Sequence, residues 1–246
     1  MNSLFYKVKS TLIDTLTRCH PMLWQSERRL SPHSIYTRSC ISPQGGYCYF
    51  RIPKCANSTI VKTLAFHDPS IGLRPDDIGG EAAKASFAHL LNAGVWFPEQ
   101  LLRRYFCFTF VRDPYVRALS AYLDKGFKVE VPLNCFADFL GYLENGGLYS
   151  NAHWAPQVSL IPVPVRRLDF IGKVETIDAD LDTVGRRIFG DANWRGQVAK
   201  QTERQGSANR LAEYYDESLR QRVFALYRAD FETLGYSTDL PTLGQA

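Results

Sequence analysis

One unbroken apolar run at residues 105–111 constrains the fold of this chain more than any other feature of its sequence. The run, YFCFTFV, contains no charged side chain, which is typical of a strand buried on both faces of a parallel sheet. Arg112, Asp113 and Pro114 follow it. Because aspartate is a good N-cap and proline a good first helical residue, a helix is expected to begin here. The sequence therefore predicts a strand–helix unit of an α/β protein, with Arg112 at the carboxyl end of the strand.

A second strand–helix unit is predicted earlier in the chain. Residues 47–52 are rich in aromatic and β-branched types, which favours a strand, and residues 60–66 are typical of a helix. Asn57, Ser58 and Thr59 would supply polar groups to the first helical turn. The loop between these elements carries Lys54. Since a helix start offers free N–H groups and the positive end of the helix dipole, this loop is expected to bind phosphate or sulfate.

The two units are expected to meet at one edge of the sheet. Ligands of open α/β sheets bind at the carboxyl ends of the strands, where Lys54 and Arg112 would both lie. Arg117 and Ser120 follow three residues apart and share one helix face. Residues 51–59 contain no glycine, whereas the Walker A loop needs two. This absence weakens the prediction of an ordinary ATPase or kinase.

At this point the sequence resembles sulfotransferases that use 3′-phosphoadenosine 5′-phosphosulfate (PAPS). Residues 53–59, PKCANST, are similar to that family's 5′-phosphosulfate loop, and residues 112–122, RDPYVRALSAY, resemble its 3′-phosphate motif. The stretch His153–Gln157 followed by Leu168–Glu175, and the segment 214–236, resemble the carbohydrate sulfotransferases of family 2, which modify chondroitin-type glycans. The resemblance covers residues 47–236. It implies one sulfotransferase domain over residues 1–246, in which residues 1–45 carry no recognised motif.

The fold that this resemblance implies is α/β, with a central, mostly parallel sheet flanked by helices, as in the P-loop nucleotide-kinase-like fold of sulfotransferases. Strands are expected near residues 47–52, 105–111 and 168–172. Helices are expected near residues 57–67, 114–125, 178–189 and 216–230.

The resemblance also implies a donor site. Lys54 would act on the leaving oxygen, while the N–H groups of residues 55–59 would hold the 5′-phosphate. Arg112 and Ser120 would hold the 3′-phosphate, and Arg117 is either a further contact or a structural residue. The expected cofactor-binding residues are Lys54, Cys55, Ala56, Asn57, Ser58, Thr59, Arg112 and Ser120. PAPS would leave as 3′-phosphoadenosine 5′-phosphate, and no metal is expected because lysine and backbone donors take the place of magnesium.

Two histidines are candidates for the general base that the acceptor hydroxyl needs. His89 lies between the two donor motifs, where glycan 2-O-sulfotransferases place a catalytic histidine. His153 competes with it, and Trp154 beside it is expected to stack on a sugar ring. Either histidine could instead be an ordinary structural residue, and Glu175 is expected to make a structural hydrogen bond. The polar segment 200–210 is either a lid over the donor or a solvated loop.

Composition says little about the ligands of this chain, but it indicates where in the cell the protein is expected. The net charge of +4 fits an anionic ligand, although solvated surface residues explain it equally well. No stretch of about 18 consecutive apolar residues exists, so no transmembrane helix is expected. Residues 4–16 predict an amphipathic helix that packs on the domain or makes peripheral contact with a membrane. The six cysteines include no Cys-x-x-Cys pair, and Cys48 and Cys107 fall in predicted strands; a soluble, cytoplasmic, bacterial enzyme is therefore expected.

Alternatives from other classes stay open. A kinase with a degenerate phosphate loop would need a magnesium carboxylate after a strand, for which Asp113 is the obvious residue. A non-catalytic module could keep the phosphoadenosine pocket and lack transfer. The expected acceptor is a hydroxyl of a glycan or glycolipid, with a small metabolite or a peptide tyrosine also open, and no nucleic-acid partner is expected. Residues 68–100 and 126–165 are the expected acceptor loops.

Overall fold

A computed structural model describes residues 15–23, 30–73, 79–126, 132–197 and 206–241. Most of the amphipathic helix predicted at residues 4–16 lies outside these ranges, as does half of the segment 200–210. Both therefore stay predictions. None of the helices in the described ranges is long and apolar enough to cross a membrane.

A mixed, four-stranded sheet lies at the centre of the described part of the chain. Its strands follow chain order across the sheet: β1 Ser39–Ser42, β2 Tyr47–Phe50, β3 Phe106–Val111 and β4 Phe170–Lys173. The β1–β2 pair is antiparallel, whereas the β2–β3 and β3–β4 pairs are parallel. The three predicted strands and the mostly parallel sheet are thus confirmed.

Strand β1 was not predicted. It is short, begins and ends with serine, and joins β2 through a tight turn in which Gly46 has a φ of 70°. All four of its residues are nevertheless buried. Its burial comes from pairing with β2 and from a bridge between Ile41 and Ala88, not from a local sequence pattern.

Helices flank the sheet on both faces. They are α1 Pro32–Tyr36, α2 Asn57–His67, α3 Gly80–Ser86, α4 Pro98–Arg104, α5 Pro114–Lys125, α6 Phe136–Glu144, α7 Ile177–Phe189, α8 Leu211–Tyr214 and α9 Glu217–Leu234. The four predicted helices are confirmed as α2, α5, α7 and α9. Asp113 caps α5 as expected, because its side chain accepts a hydrogen bond from the N–H of Val116.

The central strands are buried on both faces, as the apolar run predicts. On one face, Tyr49 and Phe108 stack with their ring centroids 5.2 Å apart, beneath α2 and α7. On the other face, Cys48 and Cys107 are buried with α1 and α4. A third apolar cluster joins α5, α6 and α9. All six cysteines are free thiols.

Candidate functional site

The loop after β2 brings Lys54 to the carboxyl edge of the sheet. Lys54 and Ala56 have φ values of 70° and 50°, in the left-handed region that residues other than glycine seldom adopt. Helix α2 therefore begins abruptly, and its N-cap Ala56 offers no side-chain acceptor to the first turn. The first N–H groups of a helix have no intrahelical partner. Those of α2 are thus suited to an anion, as the sequence predicts.

The Lys54 side chain is only 11% exposed, and its Nζ lies 3.1 Å from Oδ2 of Asp124. Burial lowers the pKa of Lys54, while the hydrogen bond with Asp124 opposes that shift. Asp124 also lies 3.4 Å from Nζ of Lys125. Asp124, near the end of α5, therefore holds the side chain of Lys54 in place. The sequence did not predict this contact.

Arg112 reaches from the end of β3 to the same loop. Its guanidinium donates to the backbone oxygen of Lys54 and to Oγ of Ser207, each at 3.4 Å. Burial lowers the pKa of Arg112. The structure thus brings the two predicted donor-site cations together, and it adds Ser207, which is fully buried, to their surroundings.

Arg117 has a structural role in this arrangement. It is 1% exposed, and its guanidinium donates to the backbone oxygens of Pro53 at 3.1 Å, Ala155 at 2.8 Å and Ala152 at 3.1 Å. Of the two roles left open by the sequence, the structure supports the structural one. Arg117 ties the Lys54 loop to the segment that contains His153. Ser120 lies one turn further along α5 and is also 1% exposed; its contact with a phosphate stays a prediction.

Gln157 and Asp230 form a buried support that sequence reasoning missed. Oε1 of Gln157 accepts hydrogen bonds from the N–H of Arg112 at 2.9 Å and from the thiol of Cys55 at 3.2 Å. Asp230 accepts from the N–H groups of Gln157 and Val158 at 2.8 and 3.0 Å. Burial raises the pKa of Cys55 to about 12, so its thiol stays protonated. The glutamine thereby fixes both the arginine and the loop.

His153 lies in the same electrostatic neighbourhood as Lys54. Its pKa is lowered to about 4 by burial and by the positive charges of Arg38, Lys125 and Lys54. Nδ1 of His153 is 2.8 Å from Oδ1 of Asn151, which orients the ring. The imidazole is therefore neutral near neutral pH and able to accept a proton.

The expected stacking of Trp154 on a sugar ring is wrong. This side chain is 3% exposed, and its Nε1 donates to the backbone oxygen of Gly147 at 2.9 Å. Its ring packs edge-on against Phe139, with centroids 5.7 Å apart. Trp154 is a core residue that anchors the segment carrying His153.

His89 lies at the same edge of the sheet but one strand further out. Its Nδ1 is 2.8 Å from the backbone oxygen of Ser39, and its ring lies 5.0 Å from that of Tyr36. Ser39 pairs with Phe50 at the end of β2. Burial lowers the pKa of His89 as well. The charged groups that act on it are Arg51 and His33 rather than Lys54.

Two carboxylates near the site are occupied by structural contacts. Glu175 accepts from the N–H of Asp113 at 2.8 Å and from the hydroxyl of Tyr236 at 3.1 Å, as expected. Asp113 is 5% exposed, caps α5 at 3.0 Å from the N–H of Val116, and has its pKa raised to about 7 by burial. Because Asp113 is engaged in this cap, it is poorly placed to serve the magnesium ion that the kinase alternative requires.

A further group of positive charges surrounds Arg38, which also acts on His153. Burial and the neighbouring charges of Arg51 and Arg117 lower the pKa of Arg38 to about 10. The Nε atoms of Arg38 and Arg51 are buried without a hydrogen-bond partner in the described residues. Such crowding of buried cations is unfavourable unless an anion compensates it. These positive charges therefore fit a ligand that carries several negative charges.

Comparisons with known proteins agree with this geometry. A model described as "Sulfotransferase family" matches residues 37–237, from just before β1 to just beyond α9. Mouse carbohydrate sulfotransferase 12 is 28% identical over 245 aligned residues. Mouse carbohydrate sulfotransferase 14 is 26% identical over 223 residues. Each of these alignments covers 77% of this chain and 57% of the relative, so the chain spans little more than half the length of either.

A zebrafish (Danio rerio) carbohydrate sulfotransferase 14 is 26% identical over 258 aligned residues, which cover 85% of this chain and 68% of the relative. The resemblance predicted from the sequence is thereby confirmed. No solved structure matches this chain.

Proposed function

The chain belongs to the sulfotransferase family, and we propose that it transfers a sulfuryl group from PAPS to a hydroxyl group of a carbohydrate. The proposal rests on one observation: the Arg112 guanidinium donates to the backbone oxygen of Lys54, beside the start of α2. The printed names of the relatives, carbohydrate sulfotransferases 12 and 14, support a carbohydrate acceptor.

The residues at the sheet edge fit the charges of this donor. The first N–H groups of α2, with the exposed Ser58 and the more buried Thr59, would hold the 5′-phosphate. Arg112 would hold the 3′-phosphate, with Ser120 behind it on α5. When bound, PAPS supplies the sulfuryl group and an anionic leaving oxygen.

Lys54 would stabilise the negative charge that develops on that leaving oxygen. Its side chain is largely shielded from water. In such a water-poor site a positive charge interacts more strongly with an anion than it does in bulk solvent. To do so, Lys54 must exchange its contact with Asp124 for one with the donor. Arg117 would keep the loop in place during this exchange, because it holds the backbone of Pro53.

His153 would remove the proton from the attacking hydroxyl. It lies among the charges of Lys54, Lys125 and Asp124, whereas His89 is turned toward Ser39 and Tyr36. Bound donor would bring negative charge next to His153, and that charge raises the pKa of an imidazole toward neutrality. A pKa nearer the working pH makes a better general base.

Replacing His153 with asparagine should lower kcat about a hundredfold, because the general base is lost. In the wild type, kcat/KM should fall with decreasing pH only near pH 4, where the free-enzyme imidazole becomes protonated and can no longer accept a proton. The decrease of kcat at acid pH should occur at a higher pH than that of kcat/KM, because the bound donor raises the pKa of His153. Initial rates measured as a function of pH would check both decreases. The matched variant His89→Asn should keep most of the activity; the reverse pattern would assign the base to His89.

Replacing Asp124 with asparagine should tighten the binding of 3′-phosphoadenosine 5′-phosphate about threefold. The carboxylate would no longer compete with the ligand for Lys54, and the free energy involved is that of a partly exposed ion pair. Isothermal titration calorimetry would measure the change. Asp191→Asn is the control, because Asp191 forms an exposed ion pair with Arg186 away from the site. Equal changes in both variants, or weaker binding to the Asp124 variant, would contradict the role given to Asp124.

The proposed reaction can be tested directly by offering several carbohydrate acceptors together with PAPS. Mass spectrometry should detect the gain of one sulfate on one class of acceptor. A parallel reaction with ATP and magnesium tests the kinase alternative. Turnover with ATP and none with PAPS would overturn the proposal.

A further inference from the structure

A second basic site lies at the amino edge of the sheet, opposite the Lys54 loop. There, a cavity of about 390 Å³ opens between the end of α4, the start of β3 and the end of α7. Strand β3 runs from this edge to the donor edge, and at about 3.3 Å per residue it spans about 17 Å. A ligand in this cavity would therefore occupy a different place from one bound at Lys54.

Three exposed arginines line the cavity: Arg103, Arg104 and Arg187. None of them forms an ion pair within the described ranges of the chain. The Arg104 guanidinium lies 5.4 Å from the ring centroid of Tyr105, and that of Arg187 lies 5.9 Å from the ring centroid of Phe106. Such cation–π contacts restrain the two guanidinium groups at the rim.

Asp169 is the carboxylate in this lining, and the backbone of β3 already engages it. Its Oδ2 accepts a hydrogen bond from the N–H of Cys107 at 2.7 Å, and its N–H donates to the backbone oxygen of Cys107 at 2.8 Å. This carboxylate continues the β3–β4 pairing and reaches none of the arginines by an ion pair in the described structure. The described residues of the cavity lining therefore carry a net positive charge.

Tyr105 forms a buried part of the cavity wall. It lines the cavity and is only 5% exposed, yet its hydroxyl has no hydrogen-bond partner in the described residues. A buried hydroxyl without a partner is costly, and most such groups in proteins are satisfied. This hydroxyl is too deeply buried for a ligand in the cavity to reach it, so recognition of a ligand depends on the arginines.

We propose that this cavity binds a sulfate ester on a carbohydrate chain that has already been modified. Guanidinium groups donate hydrogen bonds in a fork that matches the oxygens of a tetrahedral oxyanion, and the lining is polar rather than apolar. The choice of a sulfate ester over a phosphate rests on the proposed function, whose product carries one. The two sites lie at opposite edges of the sheet, so an acceptor chain long enough to pass around the domain could contact both, and the second contact would raise its effective concentration at Lys54. The protein would then favour acceptors that are already partly sulfated.

The test compares two probes, a sulfated chondroitin hexasaccharide and the same hexasaccharide without sulfate. Binding is measured by fluorescence titration without donor, so the result does not depend on turnover. The variant replaces Arg103 and Arg187 with serine; both residues are exposed, and neither belongs to the donor site. Arg166→Ser is the matched control, because Arg166 is an exposed arginine outside the cavity lining.

The wild type and the control should bind the sulfated probe about tenfold more tightly than the unsulfated one. The double variant should lose most of that preference while its melting temperature stays unchanged. An equal loss for both probes, or no loss, would overturn the proposal, as would a tighter affinity of the cavity for inorganic phosphate than for the sulfated probe. If transfer from PAPS fails while the preference persists, the proposed function is wrong and the site stands. If transfer succeeds without the preference, the site alone is wrong.

Discussion

Replacing Lys54 with methionine should lower kcat by about 10² to 10³, with a much smaller change in donor affinity. Methionine preserves most of the volume of the side chain but removes the charge that would face the leaving oxygen of the proposed donor. Loss of one donor that stabilises developing negative charge costs this order of magnitude in other enzymes. The first N–H groups of α2 and Arg112 are unaltered, so ground-state binding should persist. Single-turnover kinetics with labelled donor would separate the two effects.

Lys125→Met is the matched control for this experiment. Lys125 also lies near Asp124, at 3.4 Å, but its side chain is 26% exposed and its position is on α5 rather than in the loop. It should lose less than tenfold in kcat. Equal losses in the two variants would mean that general electrostatic attraction, rather than a specific role of Lys54, accounts for the rate.

Replacing Arg117 with leucine should lower the free energy of unfolding by about 3–5 kcal/mol. Three buried carbonyl oxygens, of Pro53, Ala152 and Ala155, would lose their donors, and each buried unsatisfied group costs about 1–3 kcal/mol. Arg117→Lys should recover only part of the loss, because an ammonium group cannot reproduce the planar fork. Urea denaturation followed by circular dichroism would measure these changes.

Arg222→Leu provides the comparison. Arg222 makes a two-pronged ion pair with Glu144 at 2.8 and 2.7 Å and donates to the backbone oxygen of Ala137 at 3.2 Å, but these contacts are partly exposed to solvent, where the expected cost of losing the pair is below about 1 kcal/mol. If Arg117→Leu proves no more costly than Arg222→Leu, water must replace the guanidinium at the three carbonyls. The comparison thus distinguishes a fully buried guanidinium from one that is partly exposed to solvent.

The strand–helix units were predictable because their signals are local. The apolar run at residues 105–111 and the Asp113–Pro114 helix start specify β3 and α5 without reference to the rest of the chain. Strand β1 carries no such signal: its two serines are buried by tertiary contacts, which include the antiparallel pairing with β2 and the hydrogen bond from Ser42 to Asp68. Pairing of that kind depends on tertiary context rather than on local pattern.

In the candidate site, too, some features could be predicted from local sequence and others could not. Lys54 and Arg112 could be predicted because each follows a strand, and the carboxyl edge of a parallel sheet gathers such residues. The contacts that hold them join residues far apart in sequence: Lys54 with Asp124 is separated by 70 positions, and Gln157 with Asp230 by 73. Trp154, by contrast, was assigned a ligand contact from the sequence and has a structural role instead. An aromatic residue next to a candidate base has the same sequence pattern whether its ring contacts a sugar or the core.

The buried thiol of Cys55 also determines where chemical labels can be placed on this protein. Cys55 lies next to Lys54, but with a pKa raised to about 12 it presents almost no thiolate to an alkylating reagent. Cys40, Cys48 and Cys107 are likewise buried, whereas Cys19 and Cys135 are exposed. Maleimide dyes should therefore attach at these last two positions and leave the Lys54 loop unmodified. A fluorophore pair could then be introduced into the natural sequence without removing a cysteine.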